Sequence, residues 1–401
     1  MPLEKPEELT LAEKLSRLDK IADKTNKKYG KKVMGRIGKE PEIAEAMTLR
    51  YVPTPCRDLN MAIAGNAEGG FPIGRCTIVA GSEDSGKTSI CLETAADMMK
   101  RDPNWTCGWL ESENSLTKEY ACNTFGIDPE RFFFVPLDPD VGAEKTMDMI
   151  QGVLGTGALD MFVLNSLSCL VPTQELEAEL ESSTVAVQAR FNARLSKKFL
   201  ALVGKSNAAF VLICHLTTQI GSMSRDPLII SGGKAIKYWS SLTLDMRKHS
   251  IGPGDPITKE DGVKICVTIK KNHCRQDIFG YKKLEYYAIF GEGIEQILTV
   301  IPTAVEIGVL EKHGPWLYWN NPNGELIEKF ASKAAFREAM KNDPVKWQKF
   351  LDQLDGKEST IEDVSEEEAE AIKADEKAIE SKILLDEDEP KTKKAKKDKV
   401  A

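Results

Sequence analysis

Residues 76–88 read Cys-Thr-Ile-Val-Ala-Gly-Ser-Glu-Asp-Ser-Gly-Lys-Thr, and this stretch decides the fold class. Its second part, Gly81, Ser82, Glu83, Asp84, Ser85, Gly86, Lys87 and Thr88, fits G-x-x-x-x-G-K-[ST]. The run Thr77-Ile-Val-Ala80 before it has the character of a buried strand, and Lys87–Lys100 after it has helical periodicity. Strand, glycine loop and helix in that order make a cradle for phosphate. The glycines let the backbone curl until its N–H groups point inward, and the helix adds the positive end of its dipole. Lys87 is expected to reach the β- and γ-phosphates and Thr88 to ligate Mg²⁺, with Ser89 among the nucleotide contacts. The motif implies a nucleoside triphosphate, here taken as ATP, but does not say how its energy is used.

Working outward, residues 46–289 alternate short apolar runs with longer amphipathic stretches. The runs are Cys76–Ala80, Cys107–Leu110, Phe132–Pro136, Met161–Leu164, Ala208–Cys214, Ser241–Met246 and Val263–Ile269. Helical stretches such as Lys87–Lys100, Ala143–Leu154 and Thr184–Val203 lie between them. Runs this apolar suggest strands covered on both faces, so the expected class is α/β with a mainly parallel, twisted, doubly wound sheet. Residues 1–45 form a separate N-terminal segment in which Leu11, Leu15, Leu18 and Ile21 suit one helical stripe. A stripe this short must dock, either on its own domain or on a neighbouring subunit. Residues 290–355, with Trp316, Trp319 and Trp347, suggest a small C-terminal α+β domain; Trp316-Leu-Tyr-Trp there looks like a strand entering a turn. Residues 356–401 hold carboxylate clusters followed by lysines and no aromatic residue, the composition of a disordered charged tail.

The 62 acidic residues exceed the 54 lysines and arginines, giving −8, which argues against a uniformly basic nucleic-acid coat while leaving room for local patches. No run of about 18 apolar residues exists, so no transmembrane helix and no membrane partner are expected. The nine cysteines show no zinc spacing, and several sit in apolar runs, which predicts buried free thiols in a soluble intracellular protein.

Hydrolysis needs a carboxylate that orients the attacking water from the end of a strand. Glu111 and Glu113 both follow the run Cys107-Gly-Trp-Leu110 and are both placed for this. The strand Met161-Phe-Val-Leu ends at Asn165, where a phosphate-loop ATPase normally has aspartate. Asn165 can accept a hydrogen bond from a metal-bound water but lacks the charge that favours Mg²⁺.

Over residues 20–345 the order of motifs resembles the RecA-type homologous-recombination ATPases, bacterial RecA and its phage relatives. Tyr29–Gly38 resembles the segment joining an N-terminal docking helix to the core, and Gly74-Arg75 leads into the strand before the phosphate loop. Glu111-Ser-Glu-Asn-Ser-Leu-Thr-Lys-Glu-Tyr120 is similar to the stretch that carries the catalytic glutamate and an adenine-stacking tyrosine. The resemblance thus assigns water activation to Glu113 and adenine stacking to Tyr120; Thr117 stands where the family often has aspartate. Leu212-Ile-Cys-His215 ends where the family carries an amide that senses the γ-phosphate, so His215 takes that role. The first DNA-binding loop falls near Glu177–Ala186 with Val185, followed by a helix with Arg190. The second spans Thr217–Gly233, with Ile220, Met223, Arg225, Gly232 and Gly233, and Lys234 beyond it. Lys270-Lys-Asn-His273 resembles a lysine motif that acts across a subunit interface, with Lys271 in the trans-acting place and Arg275 a candidate for the second charge.

The resemblance implies a DNA-dependent ATPase that uses ATP and Mg²⁺. It would form a helical homo-oligomeric filament on single-stranded DNA and exchange strands with double-stranded DNA. The expected location is the cytoplasm of a bacterial cell or phage-infected host. Two alternatives remain at this point: an ATP-binding single-strand scaffold with weak hydrolysis, and a ring-forming helicase motor on the same fold.

Overall fold

Apolar residues in the runs at 76–81 and 209–214 send successive side chains to opposite faces of one large sheet. The computed structural model describes residues 9–138, 141–166, 170–176, 202–218, 228–230, 238–252, 255–275 and 283–356. Strands β1 (Tyr51–Pro53) and β2 (Gly70–Pro72) form a small antiparallel pair. The large sheet contains β3 (Cys76–Gly81), β4 (Cys107–Glu111), β5 (Phe132–Pro136), β6 (Met161–Asn165) and β7 (Ala209–Thr218). It continues with β8 (Leu228–Ile230), β9 (Leu242–His249), β10 (Gly262–Asn272), β11 (Lys283–Ile289) and β12 (Gly293–Glu295). Their order is β12-β11-β10-β9-β3-β7-β6-β4-β5, with β8 beside the end of β7. From β9 to β5 the neighbours are parallel; β10 runs antiparallel to both β9 and β11.

Each central strand feeds two apolar layers. Val79, Val163, Val211 and Ile213 pack with the helices Arg57–Ala64 and Lys87–Arg101 on one face. Ile78, Ala80, Phe162, Leu164 and Leu212 pack with the helix Ala143–Gly155 on the other. Two features depart from the sequence expectation. Among the described residues no helix separates β9, β10 and β11, so this part of the sheet has one apolar face only. Leu244, Met246, Ile265, Val267 and Tyr286 point into the first layer. The opposite face carries ion pairs, Arg247 with Asp245 at 2.9 Å and Lys264 with Glu285 at 3.1 Å. The second departure is β5, an edge strand rather than a covered one, with Phe133 and Phe134 exposed.

The N-terminal helix, Leu11–Tyr29, starts in a capping box between Thr10 and Glu13 and stops at Gly30, whose φ is 67°. It is held by its polar side. Asn26 donates to Met34 O at 2.8 Å and accepts from Val33 N at 2.8 Å, while Arg36 pairs with Asp19 at 2.7 Å. Of the apolar stripe, Leu15 is half-buried, while Leu11, Leu18 and Ile21 are 72%, 60% and 58% exposed.

Residues 295–356, with a short segment near 252–258, form a separate unit. Its antiparallel strands β13 (Leu310–His313), β14 (Trp316–Asn320) and β15 (Leu326–Phe330) pack Leu317, Trp319 and Phe330 onto Phe336 and Phe350 of two helices. Those helices, Lys333–Asn342 and Pro344–Leu354, begin at the caps Ser332 and Asp343. Cys56, Cys76, Cys91, Cys107, Cys214 and Cys266 are buried free thiols, as the composition predicts. No described helix is long and apolar enough to cross a membrane.

Candidate nucleotide site

Strand register gathers the expected site residues along one edge of the sheet. Gly81 at the end of β3 lies beside His215 on β7, and Asn165 at the end of β6 lies beside Glu111 on β4. Between Gly81 and the helix at Lys87 the chain makes a tight loop. A side chain at position 81 would collide with Ser85 Oγ and Met246 O, and Gly86 has φ of 81°, so both glycines are required by the shape. Inside the loop Ser85 Oγ donates to Ser82 O at 2.8 Å and Lys87 Nζ donates to the same carbonyl at 2.6 Å. Lys87 is only 6% exposed, and burial lowers its ammonium below the ordinary lysine range, against the pull of Glu113, Glu83 and Asp84. Such a lysine gains most from an anionic partner.

The two carboxylates at the end of β4, which spacing does not separate and of which the family resemblance selects Glu113, part company here. Glu111 is 1% exposed and fully engaged. Glu113 lies beyond the strand, partly exposed, with Oε1 2.6 Å from His215 Nε2. Burial therefore leaves Glu113, and not Glu111, able to meet a water. Tyr120 is 42% exposed and its ring stands edge-on to Phe125, with centroids 5.1 Å apart. At that exposure the Tyr120 ring is accessible to a stacking partner. Thr117, also in this segment, bonds the Tyr120 N–H through its hydroxyl at 3.1 Å.

Mg²⁺ requires hard oxygen donors. Thr88 lies in the first turn of the helix after the loop, half-buried, and Asn165 presents a buried Oδ1 that has no hydrogen-bond partner. An orphaned buried oxygen of this kind suits a metal or its water, so the residues fit the ion. The set is poorer in charge than one with aspartate.

Lys271 lies elsewhere. It pairs with Thr243 on β9, which pairs with Ile78, three residues short of Gly81 and roughly 10 Å from it along the strand. Lys271 Nζ donates to Tyr238 O at 3.3 Å, and Lys270 pairs with Asp245 at 3.6 Å. Arg275 reaches back to Met61 O at 3.3 Å, beside Gly65. Lys271 thus sits displaced from its own phosphate loop, whereas Lys270, through Asp245, lies at the register of Ala80, one residue before Gly81. The expected DNA contacts Val185, Arg190, Ile220, Met223, Arg225, Gly232, Gly233 and Lys234 lie outside the described residues, as does most of the expected helix Thr184–Val203.

The family model for the RecA N-terminal domain matches residues 16–295. The chain belongs to the RecA family. It is similar to the RecA protein of Thermus aquaticus, 31% identical over 309 residues, which is 76% of this chain and 85% of that protein. RecA of Bartonella quintana is 30% identical over 310 residues, 77% of this chain and 84% of the relative. RecA of Chlorobium chlorochromatii is 30% identical over 338 residues, 84% and 89% of the two. The family match spans the phosphate loop, the Glu113–His215 pair and the Lys270–Lys271 segment alike. Sequence reading of this RecA-family chain missed what Trp109, Ser112 and Ser115 do: they hold the loop after β4. Trp109 Nε1 donates to Glu111 at 3.0 Å, and Ser112 Oγ bridges to Asn165 O and Ser166 O at 3.0 Å each. The strand spacing that puts Trp109 and Glu111 on one face was the signal available.

Proposed function

We propose that this RecA-family protein is an ATP-dependent strand-exchange recombinase that assembles head to tail on single-stranded DNA. The observation that carries the reading is the separation of two lysines on one sheet. Lys87 serves the phosphate loop from within. Lys271 stands away from it, where in a head-to-tail assembly it would face a neighbour's nucleotide. The exposed stripe of the N-terminal helix supports the same geometry, since apolar surface held outward needs a partner subunit.

In this mechanism the loop N–H groups and Lys87 hold the β- and γ-phosphates, and Tyr120 covers the adenine. Glu113 orients water in line with the γ-phosphorus and accepts its proton; His215, hydrogen-bonded to Glu113, contacts the γ-phosphate. Thr88 and Asn165 would hold Mg²⁺, which when bound neutralises charge on the transferred group. Lys271 of one subunit would stabilise that charge at the next, which makes turnover conditional on assembly. The loops near Glu177–Ala186 and Thr217–Gly233 would contact the single strand, Ile220 and Met223 wedging between bases. The C-terminal unit would help capture duplex DNA, with the acidic part of residues 356–401 competing against it.

The test is ATP hydrolysis by the full chain with and without single-stranded DNA, beside Lys87→Ala, together with negative-stain microscopy of the DNA complex. DNA-stimulated turnover that Lys87→Ala abolishes, with filaments, supports the reading. Filaments without turnover would show an ATP-gated scaffold, and closed rings would show a motor.

A further inference from the structure

Glu111 is a carboxylate for which the hydrolytic reading finds no use. It is 1% exposed, and both of its oxygens are taken up by donors of the protein itself. Its Oε2 accepts from Trp109 Nε1 at 3.0 Å and from Asn165 Nδ2 at 2.9 Å. Its Oε1 accepts from Glu113 N at 2.9 Å, Ser115 Oγ at 3.2 Å and Ser115 N at 3.4 Å. All of these partners are donors. Only a carboxylate offers acceptors at both ends; glutamine would turn its NH₂ against one set or the other. Burying such a group is costly, so its surroundings were built to need it.

The consequence falls on Asn165, its register partner on the adjacent parallel strand. Because Nδ2 is drawn to the carboxylate, Oδ1 must point the other way, and Oδ1 is the buried oxygen without a partner. Flipping the amide would set oxygen against oxygen. We propose that Glu111 is a positioning residue for the metal site. It fixes the Asn165 amide so that oxygen, not nitrogen, faces the Mg²⁺ that Thr88 and Asn165 would hold. The charge expected at the end of β6 is carried one strand away, on a group that also anchors the backbone of Glu113. This rests on the nucleotide-site reading above.

An aspartate at 165 would place an oxygen where the Nδ2 donor now meets Glu111. Asn165→Asp should therefore weaken Mg²⁺ binding although it adds negative charge, the reverse of what charge alone predicts. The experiment is binding of a fluorescent ATP analogue (mant-ATP) by the full chain, titrated with Mg²⁺, for the native protein, Glu111→Gln and Asn165→Asp. Glu111→Gln is expected to raise the Mg²⁺ midpoint about 10-fold while metal-free binding of the analogue is kept. Asn165→Asp is expected to raise the midpoint as well. A native midpoint in folded Glu111→Gln, or a lowered midpoint in Asn165→Asp, would overturn the proposal; should Glu111→Gln not fold, Asn165→Asp decides alone. Analogue binding by the native chain that ignores Mg²⁺ would instead overturn the nucleotide-site reading, and the proposal with it.

Discussion

Glu113 Oε1 and His215 Nε2 lie 2.6 Å apart, so the carboxylate just beyond β4 and the imidazole within β7 form a single hydrogen-bonded unit. One strand, β6, separates β4 from β7 in the sheet, and this contact spans it. Because the pair is joined, a change at His215 acts on Glu113 too. His215→Ala is expected to lower DNA-stimulated ATP turnover about 100-fold while nucleotide affinity stays near native, since the phosphate loop is untouched. Steady-state kinetics beside equilibrium binding separate the two; a loss of affinity with unchanged kcat would refute the coupling.

Gly81→Ala should fail at binding. Its new methyl group would overlap Ser85 Oγ and Met246 O, one of them backbone, so the loop must open. Overpacking of this kind costs about 1–3 kcal/mol. Calorimetric titration with ATP should show at least a several-fold loss of affinity; native affinity would mean the loop accommodates the methyl group.

Glu93, on the helix that follows the phosphate loop, offers a pH test. Burial pushes its carboxyl up from 4.5 to about 7, opposed by a hydrogen bond accepted from Ile294 N at 2.8 Å. The folded state holds this proton more tightly than the unfolded chain. The resulting stabilisation is complete below pH 4.5 and is lost as pH rises through about 7. Its size is at most on the order of 3 kcal/mol. Glu93→Gln keeps an acceptor for Ile294 and removes the titration. Its Tm should exceed the native value at pH 8 by several degrees and match it near pH 4.5. Equal gains at both pH values would show that the charge is not the cause.

The exposed stripe of the N-terminal helix should matter to assembly and not to folding. Leu18→Asp with Ile21→Asp replaces side chains 60% and 58% exposed, so Tm should move little. Filament length in electron micrographs and DNA-stimulated hydrolysis should both collapse. Native filaments from this double variant would remove the stripe from the interface.

Thiol labelling tests the core. Burial pushes the Cys56 and Cys214 thiols up to about 12, and both are fully covered. Cys122 is partly exposed. Iodoacetamide at pH 8 followed by peptide mass mapping should label Cys122 well before Cys56 or Cys214.

The sequence by itself determined the strand–loop–helix at 76–101, because glycines at 81 and 86 and a β-branched run are local requirements with local causes. It also determined most other strands of the core, which read as apolar runs because both faces of the central sheet are buried. The edge position of β5 and the polar face of β9 to β11 were not legible, since an apolar run does not reveal which neighbour it will have. Nor could spacing separate Glu111 from Glu113: two residues apart, they differ only in that β4 buries the first and releases the second toward His215, 102 residues on. Asn165 shows the same division. Its identity suggested a weakened metal site; only tertiary structure set a buried carboxylate against its amide and left its oxygen buried without a partner. Local backbone chemistry can be read along the chain, whereas which donor meets which acceptor depends on strand order, which long-range pairing alone decides.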